Sequence, residues 1–230
     1  MPVRESTEIE VKYFILPTLA REITRGREYS RIEQHYFPRK MVGELVTSFD
    51  LHQRVEASED FSSARIRKVA HPSGPSTYYL EFKGTKESID GAKISRREFG
   101  IEIPKALFSQ LKEHAVAGSL IKRRYEVRGH FLLGGSSPLV AQIDLVEEAG
   151  QPLRKLPREF CTVDVEVTDA HHAKLLRANR HSLEFLKDCV ELADTGKMLS
   201  TRRLAKRGFD EEQRATLKGI IAAALESKSA

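Results

Sequence analysis

The sequence predicts a mainly β fold of the α+β type, an eight-stranded closed antiparallel barrel with a polar, charged lumen and helices packed outside. Three observations carry this expectation. Eight segments alternate in character with the period of two that a β-strand imposes, seven of them charged on one face and largely apolar on the other. The charges are sorted by strand, with carboxylates on the first and last strands and arginine and lysine on the middle ones. Amphipathic helical stretches between and after the strands can cover the apolar faces. Alternation in one strand is what any half-solvated antiparallel sheet shows. The sorting by sign and the supply of covering helices distinguish this set from such a sheet, and a curled sheet of eight strands leaves a lumen for one small ligand.

The first strand is "STEIEVKYFI" (6–15), with Glu8, Glu10 and Lys12 alternating against Ile9, Val11 and Tyr13. "SRIEQHYFP" follows and is closed by Pro38. "GELVTSFDLHQ", within residues 39–62, fits strand or helix equally and stays unassigned. "SSARIRKVA" places Arg65 and Arg67 on one face. "STYYLEFKG" sets Glu81 and Lys83 against Leu80 and Phe82. "SRREFGIEI" sets Arg96, Glu98 and Glu102 against Phe99, Ile101 and Ile103. "LIKRRYEVRG" offers Lys122, Arg124, Glu126 and Arg128. "LVAQIDLVEE" offers Gln142 and Asp144, and "CTVDVEV" offers Asp164 and Glu166. Gly/Ser/Pro clusters at 71–76 and 133–138 read as turns. Helices are expected from Pro104 to Ala115, from Asp169 through Leu192, and from an N-capping Asp210 to about Lys228.

Composition narrows the function. The chain has 230 residues, 31% charged and 40% hydrophobic, with net charge +5 and pI about 9.2. That suits one globular domain over 1–230, with 207–230 as an appended C-terminal helix, and it mildly favours anionic partners. Cys161 and Cys189 are too few for a disulfide framework or a zinc site. "MPVRESTEIE" has no apolar core of a signal peptide and no stretch is long enough to span a membrane, so the cytoplasm is expected. The eight histidines do not cluster at metal spacing. The last helix is too poor in Lys and Arg to bind nucleic acid, which is not expected as a partner. A homodimer is left open.

The lumen would be lined by Glu8, Glu10, Glu81, Glu98, Glu102, Glu126, Asp144, Asp164 and Glu166, and by Lys12, Arg65, Arg67, Lys83, Arg96, Lys122, Arg124 and Arg128. Burying an ion costs several kcal/mol, and pairing only partly offsets that cost. Cations gathered on adjacent strands call for an anion, and carboxylates gathered elsewhere call for a hard cation. A polyphosphate with Mg²⁺ or Mn²⁺ meets both needs, since magnesium binds through one or two carboxylates plus phosphate oxygens.

Glu8-Ile-Glu10-Val-Lys12 resembles the E-x-E-x-K signature of the CYTH proteins, also called triphosphate tunnel metalloenzymes. The order of later elements extends the resemblance from about residue 6 to 206: "ARIRK", "LEFKG", "SRREFGIEI", "IKRRYEV", "QIDL", "VDVEV" and "GKMLSTRRLA". It implies a tunnel that binds a triphosphate-containing small molecule with Mg²⁺ or Mn²⁺ and hydrolyses it. Glu8, Glu10, Asp144, Asp164 and Glu166 would hold metal. Arg65, Arg67, Lys83, Arg96, Lys122, Arg124 and Lys197 would bind phosphates. Lys12 and Glu10 would serve catalysis, Lys12 by orienting the attacking water. Class IV adenylyl cyclase activity, making cyclic AMP and pyrophosphate from ATP, and a non-catalytic polyphosphate-binding module are the alternatives. The chain departs from the pattern in having Asp164 where many relatives have glutamate. It also has longer stretches between "HYF" and "ARIRK" and between Asp144 and Asp164, which are expected as insertions at a tunnel mouth.

Overall fold

The computed structural model describes residues 3–51, 61–84, 87–89, 93–129, 139–167, 169–179, 186–192, 201–207 and 210–226. Ten strands form one antiparallel sheet: β1 (Val3–Phe14), β2 (Ser30–Tyr36), β3 (Ser63–Ala70), β4 (Thr77–Lys83), β5 (Glu87–Ile89), β6 (Lys93–Glu102), β7 (Gly118–Gly129), β8 (Leu139–Gly150), β9 (Arg154–Glu166) and β10 (Val190–Glu191). The order is β10-β1-β9-β8-β7-β2-β3-β4-β6-β5. All eight expected strands are present, and β5 and β10 are short additions. One edge of β1 pairs with β9 from Glu10↔Glu166 to Phe14↔Thr162. The other edge pairs with β6 from Val3↔Ile101 to Glu10↔Ile94, and then with β10 at Tyr13 and Phe14.

Two apolar layers cover the face opposite the charged one. The first joins Val11, Tyr13, Ile143, Leu145, Val163 and Val165 of β1, β8 and β9 to Ala20 of helix α1 (Pro17–Thr24) and to Ala173 and Leu176 of α4 (Ala170–Ala178). The second joins Ile66, Leu80, Phe82, Phe99 and Ile101 of β3, β4 and β6 to Val42, Leu45 and Val46 of α2 (Arg39–Ser48) and to Phe108 of α3 (Lys105–Lys112). Prolines open three of these helices: Pro17 sits in the first turn of α1, and Pro38 and Pro104 are the N-caps of α2 and α3, where a missing N–H is harmless. The ambiguous 39–48 stretch is therefore helical. Asp169 caps α4 by accepting a hydrogen bond from the His172 N–H at 2.8 Å.

The single long helix expected from Asp169 through Leu192 is not formed. α4 ends at Ala178, with Asn179 as its C-cap, and Leu186 and Cys189 reach the same apolar layer from a turn that leads into β10. Their helical spacing reported burial, which a turn satisfies equally well. The stretch between Asp144 and Asp164 carries β8 and β9 on to a turn at 151–153, with a register shift between Val146 and Glu148. The expected turn at 133–138 lies outside the described residues.

A third apolar cluster sits at one end of the charged face. On that end the strand positions in line with the charges become Phe14, Tyr36, Leu120, Val146 and Phe160. They are covered by Leu204 and Ala205 of α5 (Thr201–Arg207) and Leu217 and Ile220 of α6 (Glu211–Glu226). Asp210 caps α6 as expected, accepting from the Gln213 N–H at 2.9 Å. α5 lies so close to β7 that a Cβ on Gly118 would stand 2.5 Å from the carbonyl carbon and oxygen of Ala205. Gly118 also has φ of +147°, which side chains rarely adopt. Gly118→Ala should therefore lower stability by about 2–4 kcal/mol through backbone strain and the lost seating of α5. Urea unfolding checks this, and an unchanged midpoint would mean α5 does not dock on β7 as described.

Candidate functional site

The site is built from side chains that the register places on one face of the sheet. Lys12 lies opposite Asp164, Arg65 opposite Glu81, Lys83 opposite Glu98, and Arg124 opposite Asp144. Residues directly opposite in an antiparallel pair share a face at close range, so each cation meets a carboxylate across one ladder. Lys12 Nζ stands 2.9 Å from Asp164 Oδ1 and 3.9 Å from Glu10 Oε1. Arg65 Nε donates to Glu81 Oε2 at 2.5 Å, and Arg67 reaches Glu81 Oε1 at 2.6 Å. Arg124 grips Asp144 with two parallel bonds of 2.7 Å, and Lys122 donates to the same carboxylate. Lys83 pairs with Glu98. Glu10, Glu81, Lys83, Lys122, Asp144 and Asp164 are all buried, Asp144 completely.

Charge runs with strand order. Glu10, Asp164 and Asp144 stand on the neighbours β1, β9 and β8. Lys122 and Arg124 come next on β7, and Arg65, Arg67 and Lys83 lie beyond β2 on β3 and β4. The two halves are unequally satisfied. Burial and the neighbouring carboxylates of Glu10 and Asp144 push Asp164 above the usual carboxylate range, against the pull of Lys12. Burial holds Arg67 below its ordinary value, and repulsion from Arg65 and Arg124 adds to this against the attraction of Glu81. The buried Arg67 Nε has no hydrogen-bond partner. Lys122 is lowered to about 8, first by burial and then by Arg124, despite Asp144. Asp144 itself is held low: burial opposes its charge, but Arg124 and Lys122 prevail. Burial opposes the charge on Lys12 too, yet Asp164 and Glu10 keep it above its ordinary value and firmly protonated. Burial thus disfavours the charged form of Asp164 in the acidic half and of Arg67 in the basic half.

The residues expected from the sequence are distributed as follows. Lys12, Glu10, Arg65, Arg67, Lys83, Lys122, Arg124, Asp144 and Asp164 converge on this one face. Glu166 is exposed, opposite Glu10, and accepts from Gln142 at 3.1 Å. The backbones of Glu8 and Arg96 face one another across β1 and β6. The side chains of both, and Lys197 altogether, lie outside the described residues. Among the described residues, no three Asp, Glu, His or Cys side chains form a ready cation cage. Glu81 and Glu98 act as partners to the bases.

Strand β2 supplies two residues the sequence reading missed. Gln34 lies opposite Arg67 and is 1% exposed, and its Nε2 donates to the Tyr36 hydroxyl at 2.9 Å. Tyr36 lies opposite Arg65 and hydrogen-bonds to it. "SRIEQHY" carries polar groups on both faces, so its pattern alone does not choose which face joins the site. The rejected face holds its own network, in which His35 bonds Ser119 at 2.6 Å and Glu33 at 2.7 Å.

Glu81 gives a test of the basic half. Burial opposes its ionisation, but Arg65, Arg67 and Lys83 bring its pKa down to about 2 from 4.5. A carboxyl lowered on folding contributes stability that is complete above the unfolded value and fades as pH falls toward the folded one. Glu81→Gln should cost about 3 kcal/mol at pH 7, because two buried guanidinium groups lose their counter-charge. The gap to the parent should narrow as the pH drops from 4.5 toward 2, as followed by urea unfolding at each pH. A gap independent of pH would show that the carboxylate charge is not what matters.

No family model matches the chain, and no curated protein matches it. Solved structures similar to it include the PH1819 protein from Pyrococcus horikoshii OT3, at 15% identity and a TM-score of 0.44, over 79% of this chain and 89% of that one. They also include the inorganic triphosphatase NE1496, at 15% identity and a TM-score of 0.42, over 87% of this chain and 95% of that one.

Proposed function

We propose that β1, β9, β8, β7, β2, β3, β4 and β6 enclose a tunnel, and that the chain is a cytoplasmic, divalent-metal-dependent triphosphatase acting on inorganic tripolyphosphate or a small organic triphosphate. The observation that carries this reading is the sorting of charge on one face: an acidic half on β1, β9 and β8 that suits a cation beside a basic half on β7, β3 and β4 that suits an anion. A triphosphate with its metal supplies both. The β1–β6 ladder, which links the two ends of the eight-strand order, supports the enclosure. The resemblance at Glu8, Glu10 and Lys12 supports the assignment.

Arg65, Arg67, Lys83, Lys122 and Arg124 bind phosphate oxygens in this reading, together with Arg96 and Lys197 from the resemblance. Arg67 contributes most directly, since its Nε is already an unanswered donor. Glu10, Asp144, Asp164 and Glu166 are hard oxygen donors that suit Mg²⁺ or Mn²⁺, with Glu8 from the resemblance, and the bound ion would neutralise charge on the phosphate chain. Lys12 is held protonated, so it donates a hydrogen bond to the attacking water and cannot be the base. Glu10, 3.9 Å from Lys12 Nζ, is the group placed to take the water's proton as the terminal phosphoryl transfers in line.

Phosphate release from tripolyphosphate should require Mg²⁺ or Mn²⁺ and stop with EDTA; release that survives EDTA sinks the proposal. Arg67→Ala should weaken substrate affinity tenfold to a hundredfold, as loss of about 1.5–3 kcal/mol from a charged hydrogen bond implies. Glu10→Gln should spare affinity but lower turnover by roughly 10² or more. Wild-type kinetics in both variants would place these side chains outside the reaction.

A further inference from the structure

A second anion-seeking feature lies on the opposite side of the same wall. The segment "REITRGREYSR" (21–31) carries four arginines against two glutamates. It ends α1, turns at Gly26 and enters β2. Gly26 has φ of +72°, and Arg25 and Arg27, which flank it in this tight turn, are both exposed. Between this turn and the outward face of β7 is a groove of about 280 Å³, near the small end of ligand-site volumes, which run roughly 300–1,000 Å³. Arg21, Arg25, Arg27 and Arg123 line it, with Tyr29 and Tyr125, and among the described residues no carboxylate does.

Its parts have distinct roles. Arg123 is anchored from behind by Glu147 at 2.9 Å and lies 5.6 Å from the Tyr29 ring centre, so it forms a fixed wall. Tyr29 packs on Tyr125 with ring centres 5.4 Å apart, yet it is 41% exposed, one of only two large hydrophobic side chains so bare among the described residues. Arg27 Nε donates to the Ile23 carbonyl at 2.9 Å, which fixes how its guanidinium is presented, and Arg25 is exposed beside it. A purely structural role explains Arg123. It does not explain an exposed tyrosine, held in place by its neighbours, beside two exposed arginines in a groove without an acid.

We propose that this groove binds a nucleotide unit, with its phosphate on Arg25 and Arg27 and its base against Tyr29. Arginine pairs bidentately with phosphate, and a tyrosine ring accepts any base by stacking. The unit could be a free nucleotide or one residue of a single strand, and both present the same phosphate and base. The expectation against nucleic acid rested on the last helix, which does not line this groove. The inference does not rest on the triphosphatase reading.

Calorimetry at low and physiological salt, with AMP, ribose 5-phosphate and a short 5′-hydroxyl oligonucleotide as probes, tests it. AMP should bind at least roughly fivefold tighter than ribose 5-phosphate, which lacks the base. Arg25→Ser combined with Arg27→Ser should weaken AMP about tenfold or more, and Tyr29→Ala about fivefold, while Tyr29→Phe retains binding. Tighter binding of the oligonucleotide than of AMP identifies a strand as the source, and equal binding identifies the free nucleotide. Circular dichroism and thermal melts confirm that the variants fold, as expected for exposed positions. The proposal is overturned if AMP shows no heat of binding up to about 10 mM, if ribose 5-phosphate binds as well as AMP, or if the arginine and tyrosine variants bind like the parent.

Discussion

An ionised side chain taken out of water costs several kcal/mol even after the protein relaxes around it. This protein places Glu10, Glu81, Lys83, Lys122, Asp144 and Asp164, all buried, on one face of one sheet. Every other part of the architecture follows from making that arrangement bearable. Antiparallel register brings opposite charges into direct opposition, as at Arg124 and Asp144 or Lys12 and Asp164. The hydrophobic surface that drives folding must then lie on the other face, where α1 to α4 cover it in two layers. Among the described residues, apolar cover of the polar face lies at one end, where α5 and α6 meet a change from charged to apolar positions on the same strands.

The pairing is not symmetrical, and the asymmetry has chemical meaning. Had stability been the sole requirement, hydrophobic residues of similar volume would do as well or better than buried ion pairs. Asp144 is overprovided with Arg124 and Lys122, whereas Asp164 shares Lys12 with Glu10 and Arg67 shares Glu81 with Arg65. The two groups whose charge burial disfavours, Asp164 and Arg67, fall on opposite halves of one surface.

Much of this was legible in the sequence, because a period of two is a strong signal when one face is charged and the other apolar. β3 is clear from "ARIRK" alone, and the convergence of Lys12, Arg65, Arg67, Lys122, Arg124, Asp144 and Asp164 follows from parity once the strands are placed. Legibility failed where parity was ambiguous or where apolar spacing was taken as backbone conformation. Gln34 and Tyr36 were overlooked because Glu33 and His35 make the other face of β2 equally polar, and only the pairing Gln34↔Arg67 decides between them. Leu183, Leu186 and Val190 continue the spacing of α4, but Leu186 meets the core from a turn and Val190 joins a strand. The pairing of the stretch after Asp144 was not legible, because length says nothing about pairing: β8 and β9 run on past a register shift to Glu148↔Lys155.

The position of β1 bears on how the chain comes to be folded. Of these strands β1 is made before the rest, and it takes its partners from β6, about 90 residues on, and from β9, about 150 residues on. At roughly 5–20 residues per second, β1 waits on the order of ten seconds or more for its second neighbour. It displays two open edges until β6 is made and one until β9 is made, together with an apolar face of Ile9, Val11 and Tyr13. Contacts of such long sequence separation slow folding, because loop-closure entropy is spent before they form. The charges of Glu8, Glu10 and Lys12 therefore have a second role during synthesis. They keep the nascent strand soluble and discourage its pairing with other chains until β9 arrives.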